Sequence, residues 1–164
     1  FPNESREQWD YVLDVNLTGV FEMCSAVWPH MVKRGGGAIV NMSSAAATGG
    51  LSPFMYRLSG RVPSASYSVA KAGVDALTRW TAGHGGESNI RVNGVRPGQI
   101  ITPLTDSEGK GEHDFKKLFD VMQITDGPGY PVDVANCVLF LSCNDSRFIT
   151  GEIMNIDGGL PSKL

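Results

Sequence analysis

Tyr67-Ser68-Val69-Ala70-Lys71 sets a phenol and an amine four residues apart at the opening of a helical pattern. One helical turn separates them, so they share a face. A lysine ammonium beside a tyrosine hydroxyl favours the phenolate, drawing its pKa down from about 10 toward the range of general acid-base work. Tyr67 is then a usable proton donor. The spacing alone is common on solvated helix surfaces, and it gains meaning from its company. Upstream, Ser43 and Ser44 end a predicted strand, and downstream lies Arg91-Val92-Asn93-Gly94-Val95-Arg96-Pro97-Gly98. In open α/β sheets ligands bind at the C-terminal ends of strands, which gives those serines a functional reading. The plainer alternative is a turn serine capping the next turn of chain. Asn16 lies on the apolar stripe of the first helical pattern, where an amide without partners costs about 1–3 kcal/mol. It reads either as a core asparagine tying down a backbone kink or as part of a site.

These residues need elements to hold them. Ser5 and Gln8 form a capping-box pattern that opens a helix, and Trp9, Val12, Leu13, Val20, Phe21, Cys24, Val27, Trp28 and Met31 continue it to Arg34. Gly35-Gly36-Gly37 stops it. Residues 38–42 read as a buried strand, and residues 45–64 as a loop carrying Phe54, Met55, Tyr56 and Leu58 as a pocket wall. Tyr56 has Gly60, not lysine, four residues on. The helix with Tyr67 and Lys71 begins near Ser64 or Ser66, is expected to bury Val69, Ala70, Gly73, Val74, Leu77 and Trp80, and stops at Gly83-His84-Gly85-Gly86. Both glycine clusters follow helices and read as stops, not phosphate loops.

A second strand spans residues 90–95. Residues 99–130 make a long excursion, polar from Asp106 to Asp114 and amphipathic through Phe115, Leu118, Phe119 and Met122, which predicts a substrate lid. Pro131 starts a last helix through Val134, Ala135, Val138, Leu139 and Leu141, and residues 153–156 form the last strand. Alternating helices and strands predict an α/β fold with parallel, right-handed crossovers.

Composition narrows the chemistry. With 164 residues, 41% hydrophobic and 19% charged, the chain fits one domain with a core, and no apolar run suits a membrane span. A net charge of -3 without basic clusters argues against nucleic acid or an anionic membrane. Cys24, Cys137 and Cys143 form no C-x-x-C motif and the histidines stand apart, which points to reduced, buried thiols in a cytoplasmic protein without a structural zinc.

Val15-Asn16-Leu17-Thr18-Gly19, Ile39-Val40-Asn41-Met42-Ser43-Ser44, Tyr67-x-x-x-Lys71, Val92-Asn93-Gly94-Val95-Arg96-Pro97-Gly98 and Thr150-Gly151 to Asp157-Gly158-Gly159 together resemble successive motifs of the short-chain dehydrogenase/reductase family. The resemblance implies a Rossmann-like doubly wound parallel sheet, here its C-terminal part of about three strands with flanking helices, with residues 1–164 forming one partial domain. It implies a catalytic tetrad of Asn16, Ser44, Tyr67 and Lys71, with Ser44 preferred to Ser43 by the position of the family's serine. Tyr67 would exchange a proton with the substrate oxygen as hydride moves between substrate and nicotinamide. Ser44 would bond the same oxygen, Lys71 would lower the tyrosine pKa and hold the nicotinamide ribose, and Asn16 would position a relay water. Pro97, Gly98, Ile100 and Thr102 would border the carboxamide. NAD or NADP is the implied cofactor, a secondary alcohol or ketone the substrate, and a homodimer or homotetramer through the helices of Asn16 and Tyr67 the assembly.

Two departures from the family pattern stand out. The 22 residues between Ser44 and Tyr67 exceed its usual spacing, so residues 54–62 look inserted. The family's glycine-rich phosphate loop and cofactor-selecting residue have no counterpart in these motifs, and the chain opens on Phe1, so it reads as the C-terminal portion of a larger enzyme and is not expected to turn over alone. The strand at 38–42 would then lie at a sheet edge. The competing reading is a non-catalytic fragment serving as an oligomerisation or interaction module. A related epimerase or dehydratase is weaker, because the segment from Thr150 to Gly159 looks like the short reductases.

Overall fold

The computed structural model describes residues 4–61 and 64–160. Three parallel strands, β1 (Gly37–Met42), β2 (Ile90–Pro97) and β3 (Ile153–Ile156), form one sheet in the order β1-β2-β3. Ile39 pairs with Val92 and Val95 with Met154. Two helices precede β1, α1 (Arg6–Leu13) and α2 (Gly19–Arg34), and four separate the strands: α3 (Pro53–Ser59) and α4 (Ala65–Gly85) between β1 and β2, α5 (Lys116–Met122) and α6 (Pro131–Ser142) between β2 and β3. Parallel strands need such crossovers, and the expected α/β architecture is the one observed.

β2 is central and carries most of the core. Ile90 and Val92 face Ala82 of α4 and Trp28 and Met31 of α2, while Val95 faces Val134 and Leu141 of α6. Alternation along one strand thus builds two apolar layers. β1, as expected, lies at an edge of this sheet. Arg91 donates to the carbonyls of Leu141, Cys143 and Ile149, closing the C-terminal end of α6, whose last carbonyls lack helical partners.

The structure corrects several expectations. The first helical pattern is not one helix: a π-helical turn, Asp14–Thr18, divides α1 from α2, and the Gly19 amide reaches Asp14 O, five residues back. The extra residue accommodates a phase change in the apolar pattern that spacing alone conceals. The stretch 45–64 is not only loop. Ser52 caps α3, Pro53 takes its first position, and Gly60 ends it with φ 67°. Seven residues are too short for periodicity to reveal, although cap, proline and glycine were all legible. Val62 of the inserted segment lies outside the described residues.

Along α4, Ala70 and Val74 are buried, but Val69 and Trp80 are exposed at 48% and 65%. Leu139 on α6 is also exposed, and of the cysteines only Cys24 is fully buried. What takes the buried face of α4 instead is polar: Lys71, Asp75 and Thr78.

Candidate active site

α4 is capped by Ser64, whose Oγ accepts from the Tyr67 amide at 3.2 Å. The cap fixes the first turn, where Tyr67 stands half-buried. Four residues on, the Lys71 ammonium lies 5.5 Å from the centre of the Tyr67 ring, within cation–π range. Lys71 Nζ donates to Met42 O, the last residue of β1, at 3.1 Å. Only 8% of Lys71 is exposed, and that burial pushes its pKa below the usual lysine range.

β1 reaches the same place from below. Ser43 is buried and donates from Oγ to Lys71 O at 3.1 Å. Ser44, the next residue, begins a short 3-10 turn (Ala45–Ala47) that packs on α4, and its Oγ accepts from the Ala46 amide at 3.2 Å. Ser44 therefore performs the capping task that the plainer sequence reading assigned to it. A hydroxyl that accepts from an amide still has its own proton to donate. Ser43, set aside in favour of Ser44, is the serine that ties the strand to the lysine.

Asn16 sits in the π-helical turn, which packs against α4 with Leu17 lying over Gly73. Its Nδ2 donates to Val12 O at 3.1 Å. This is the kink-tying role. The two readings of Asn16 are compatible, because a π-turn diverts helix carbonyls from their normal partners.

The turn after β2 is held tightly. Gly98 donates to Ile156 O at 2.9 Å, and a Cβ on it would lie 2.7 Å from Asp157 Cα. Only glycine allows that approach. Ile100 donates its amide to Gly98 O, and the Thr102 amide goes to Thr105 Oγ1. The amides of Ile100 and Thr102, two of the residues expected to border a carboxamide, are thus bonded within the chain. Among the described residues Lys71 Nζ, which carries three donors, makes one hydrogen bond, to Met42 O.

The long excursion follows this turn. α5 packs on α3, and Arg61 joins them to the polar stretch by an ion pair with Asp114 at 3.0 Å and a hydrogen bond to Ser107. His113 is held by the Phe115 amide on Nδ1 and by the edge of Phe119, and burial lowers its pKa. A cavity of about 460 Å³ opens between residues 123–129 and the end of β3, lined by Gln99, Ile100, Asp133 and Asn155. It lies beside the turn and does not include Tyr67 or Lys71.

A family model described as enoyl-(acyl carrier protein) reductase matches residues 1–161. The dehydrogenase/reductase SDR family member 4 of Caenorhabditis elegans is 37% identical over 162 residues, covering 98% of this chain and 58% of its own length. The chain belongs to the short-chain dehydrogenase/reductase family. The 3-oxoacyl-[acyl-carrier-protein] reductase FabG of Thermotoga maritima is 37% identical over 155 residues, covering 94% of this chain and 57% of its own. Among solved structures, a Brucella melitensis 3-oxoacyl-[acyl-carrier protein] reductase with bound NAD superposes with a TM-score of 0.79 at 31% identity, covering 96% of this chain and 53% of that one. This short-chain dehydrogenase/reductase chain therefore spans just over half the length of these relatives, with the same α/β architecture. No helix among the described residues is long and apolar enough to cross a membrane.

Sequence reasoning set Ser43 aside and missed three further residues that build this region. Asp75, Thr78 and Arg96 were each visible as a polar residue inside an apolar pattern, a signal followed only for Asn16.

Proposed function

We propose that this chain carries the proton-transfer machinery of a nicotinamide-dependent oxidoreductase that interconverts a secondary alcohol and a ketone. The observation that carries the reading is the Lys71 ammonium, buried and 5.5 Å from the Tyr67 ring, tied to the end of β1 one residue before Ser43-Ser44. A buried cation is costly, and beside a phenol it stabilises the negative charge that develops on oxygen as the proton leaves.

In this reading Tyr67 passes a proton to or from the substrate oxygen, and Ser44 donates its hydroxyl proton to the same oxygen. Lys71 directs its remaining donors to ribose hydroxyls, while Pro97, Gly98, Ile100 and Thr102 border the carboxamide. Asn16, its Nδ2 donating to Val12 O, positions a relay water. NAD or NADP, when bound, supplies the acceptor or donor of hydride. Residues 99–130 with α3 form the cover that selects a small alcohol or carbonyl substrate, and the assembly is a homodimer or homotetramer through the helices of Asn16 and Tyr67. The Tyr67–Lys71 site is cytoplasmic chemistry in this proposal, within one partial domain of residues 1–164.

One observation that the first reading uses for its assembly also fits a second reading. Tyr11 on α1, Val15 on the π-turn and Val69 and Trp80 on α4 are large, apolar and exposed. Such side chains suit an association surface, so a non-catalytic interaction module remains the competing function.

Titration calorimetry with NADH and NADPH separates the two. The oxidoreductase reading expects saturable binding, weakened by Lys71→Ala and unaffected by Tyr67→Phe. Absence of binding in a folded, self-associated chain favours the interaction module.

A further inference from the structure

Asp75 stands one turn beyond Lys71 on α4, so Tyr67, Lys71 and Asp75 follow one another at intervals of four along the helix. Asp75 is 2% exposed. Its Oδ2 accepts from Arg96 Nε at 2.8 Å and from Nη2 at 2.6 Å, while Arg96 Nη1 donates to Asn155 Oδ1 on β3 at 3.4 Å. One guanidinium therefore joins the helix of Tyr67 and Lys71 to two strands. Arg96 is also the residue immediately before the Pro97-Gly98 turn.

Asp75 Oδ1 is buried and has no hydrogen-bonding partner among the described residues. A pair built only for stability would satisfy both oxygens, because desolvating a carboxylate is repaid only when its lone pairs are filled. Asp75 instead offers a single oxygen to two guanidinium N–H groups. That arrangement fixes the direction of Arg96 at an energetic cost, and direction matters most where the chain must turn.

We infer that Asp75 and Arg96 are positioning residues, which set the Pro97-Gly98-Gln99-Ile100 turn against the Tyr67–Lys71 face of α4 and so fix the width of the nicotinamide site. The inference rests on the proposed function for its ligand but not for its geometry. Four hydrogen bonds report the turn: Gly98 to Ile156 O, Ile100 to Gly98 O, Ile101 to Gly129 O and Gly129 to Gln99 O.

The test replaces the pair by apolar residues of similar size, Asp75→Leu with Arg96→Met. Exchanging a buried ion pair for packed apolar side chains is often neutral or stabilising, so folding is expected to persist. If the double variant does not fold, Asp75→Asn with Arg96→Gln is read in the same way. Site-resolved hydrogen exchange should then show the amides of Gly98, Ile100, Ile101 and Gly129 losing protection by at least about tenfold, while those of Val92 and Val95 hold theirs. Unchanged turn amides, or one factor common to all amides, would overturn the inference. NADH titration of the same variants is expected to give a Kd raised about tenfold, the order of effect for a misplaced binding element. Unchanged affinity in a variant whose turn has loosened also overturns it. If the unmodified chain binds no nicotinamide, the functional reading fails while the exchange result still decides whether the pair positions the turn.

Discussion

The buried face of α4 and the proposed cover, α3 with residues 99–130, are held by opposite means. On α4, Lys71 reaches Met42 O, Asp75 reaches Arg96 and Thr78 Oγ1 accepts from Asn41 Nδ2 at 2.9 Å, so each polar side chain grips a strand. In the cover, the equivalent tie is the Arg61–Asp114 pair, whose arginine side chain is 46% exposed. A buried polar contact has few alternatives, because breaking it strands a donor or acceptor away from water. An exposed pair loses little when it opens, since water takes its place. The proposed proton-transfer groups therefore stand on the fixed face and the proposed substrate-selecting groups on the adaptable one.

The largest break in this comparison is chemical. In any preparation of this chain that proves to turn substrate over, Tyr67→Phe should lower turnover about 10²–10⁴-fold, the usual contribution of a general acid, with the melting temperature unchanged. The assay is nicotinamide absorbance at saturating substrate. A drop in stability equal to the drop in rate would assign Tyr67 to the fold and not to the reaction.

Next comes the floor of the site. Gly98→Ala should destabilise by about 1–3 kcal/mol in urea unfolding, because its methyl would meet Asp157 Cα and Cβ at 2.7 Å. An alanine placed at Gly109 in the cover, where φ is 66° but the space is open, should cost only the backbone strain, about 1 kcal/mol. Equal costs at the two positions would erase the contrast between floor and cover.

Lys71→Met sharpens it from the electrostatic side. Removing a buried ammonium should raise stability at pH 7 on the order of 1 kcal/mol while abolishing the proposed chemistry. Burial lowers the pKa of Lys71 in the folded chain from the ordinary 10.5, so below that ordinary value the unfolded chain binds the proton more tightly. Stability associated with Lys71 is thus lost as pH falls through the folded pKa and is fully present above the unfolded one. Urea midpoints between pH 7 and pH 10.5 should rise for the unsubstituted chain relative to Lys71→Met. Parallel midpoints would show that the lysine is solvated.

The smallest effect belongs to the cover. Burial lowers the pKa of His113 below its ordinary 6.5, so protonation favours the open state and the packing with Phe119 weakens as pH falls. Limited proteolysis within residues 105–122 should accelerate a few-fold between pH 7 and pH 5, and His113→Asn should remove that dependence. Cleavage that is independent of pH would leave the ring without a role in closing the cover.

Much of this was legible in the residues. Strand boundaries were read to within a residue or two because glycines and serines bracket short apolar runs, and Ser5 with Gln8 forms the capping box expected of it. Errors fell where a short-range rule met a long-range partner. Trp80 and Val69 look like core residues by type, yet the sheet takes the side of α4 that carries Lys71, Asp75 and Thr78. The π-turn at Asn16 and the brief α3 were hidden by periodicities too short or too shifted to register.

By itself the sequence determined the order and type of the main elements, the spacing of Tyr67 and Lys71, and the motifs that mark the family, because caps, periods and turn residues are local properties. Only the tertiary structure decided which polar residues are buried and what they hold: Ser43 on Lys71 O, Asp75 on Arg96, Arg96 on Asn155. Those partners lie up to 59 residues apart, and a polar side chain reveals its role only when folding has removed the water that would otherwise satisfy it.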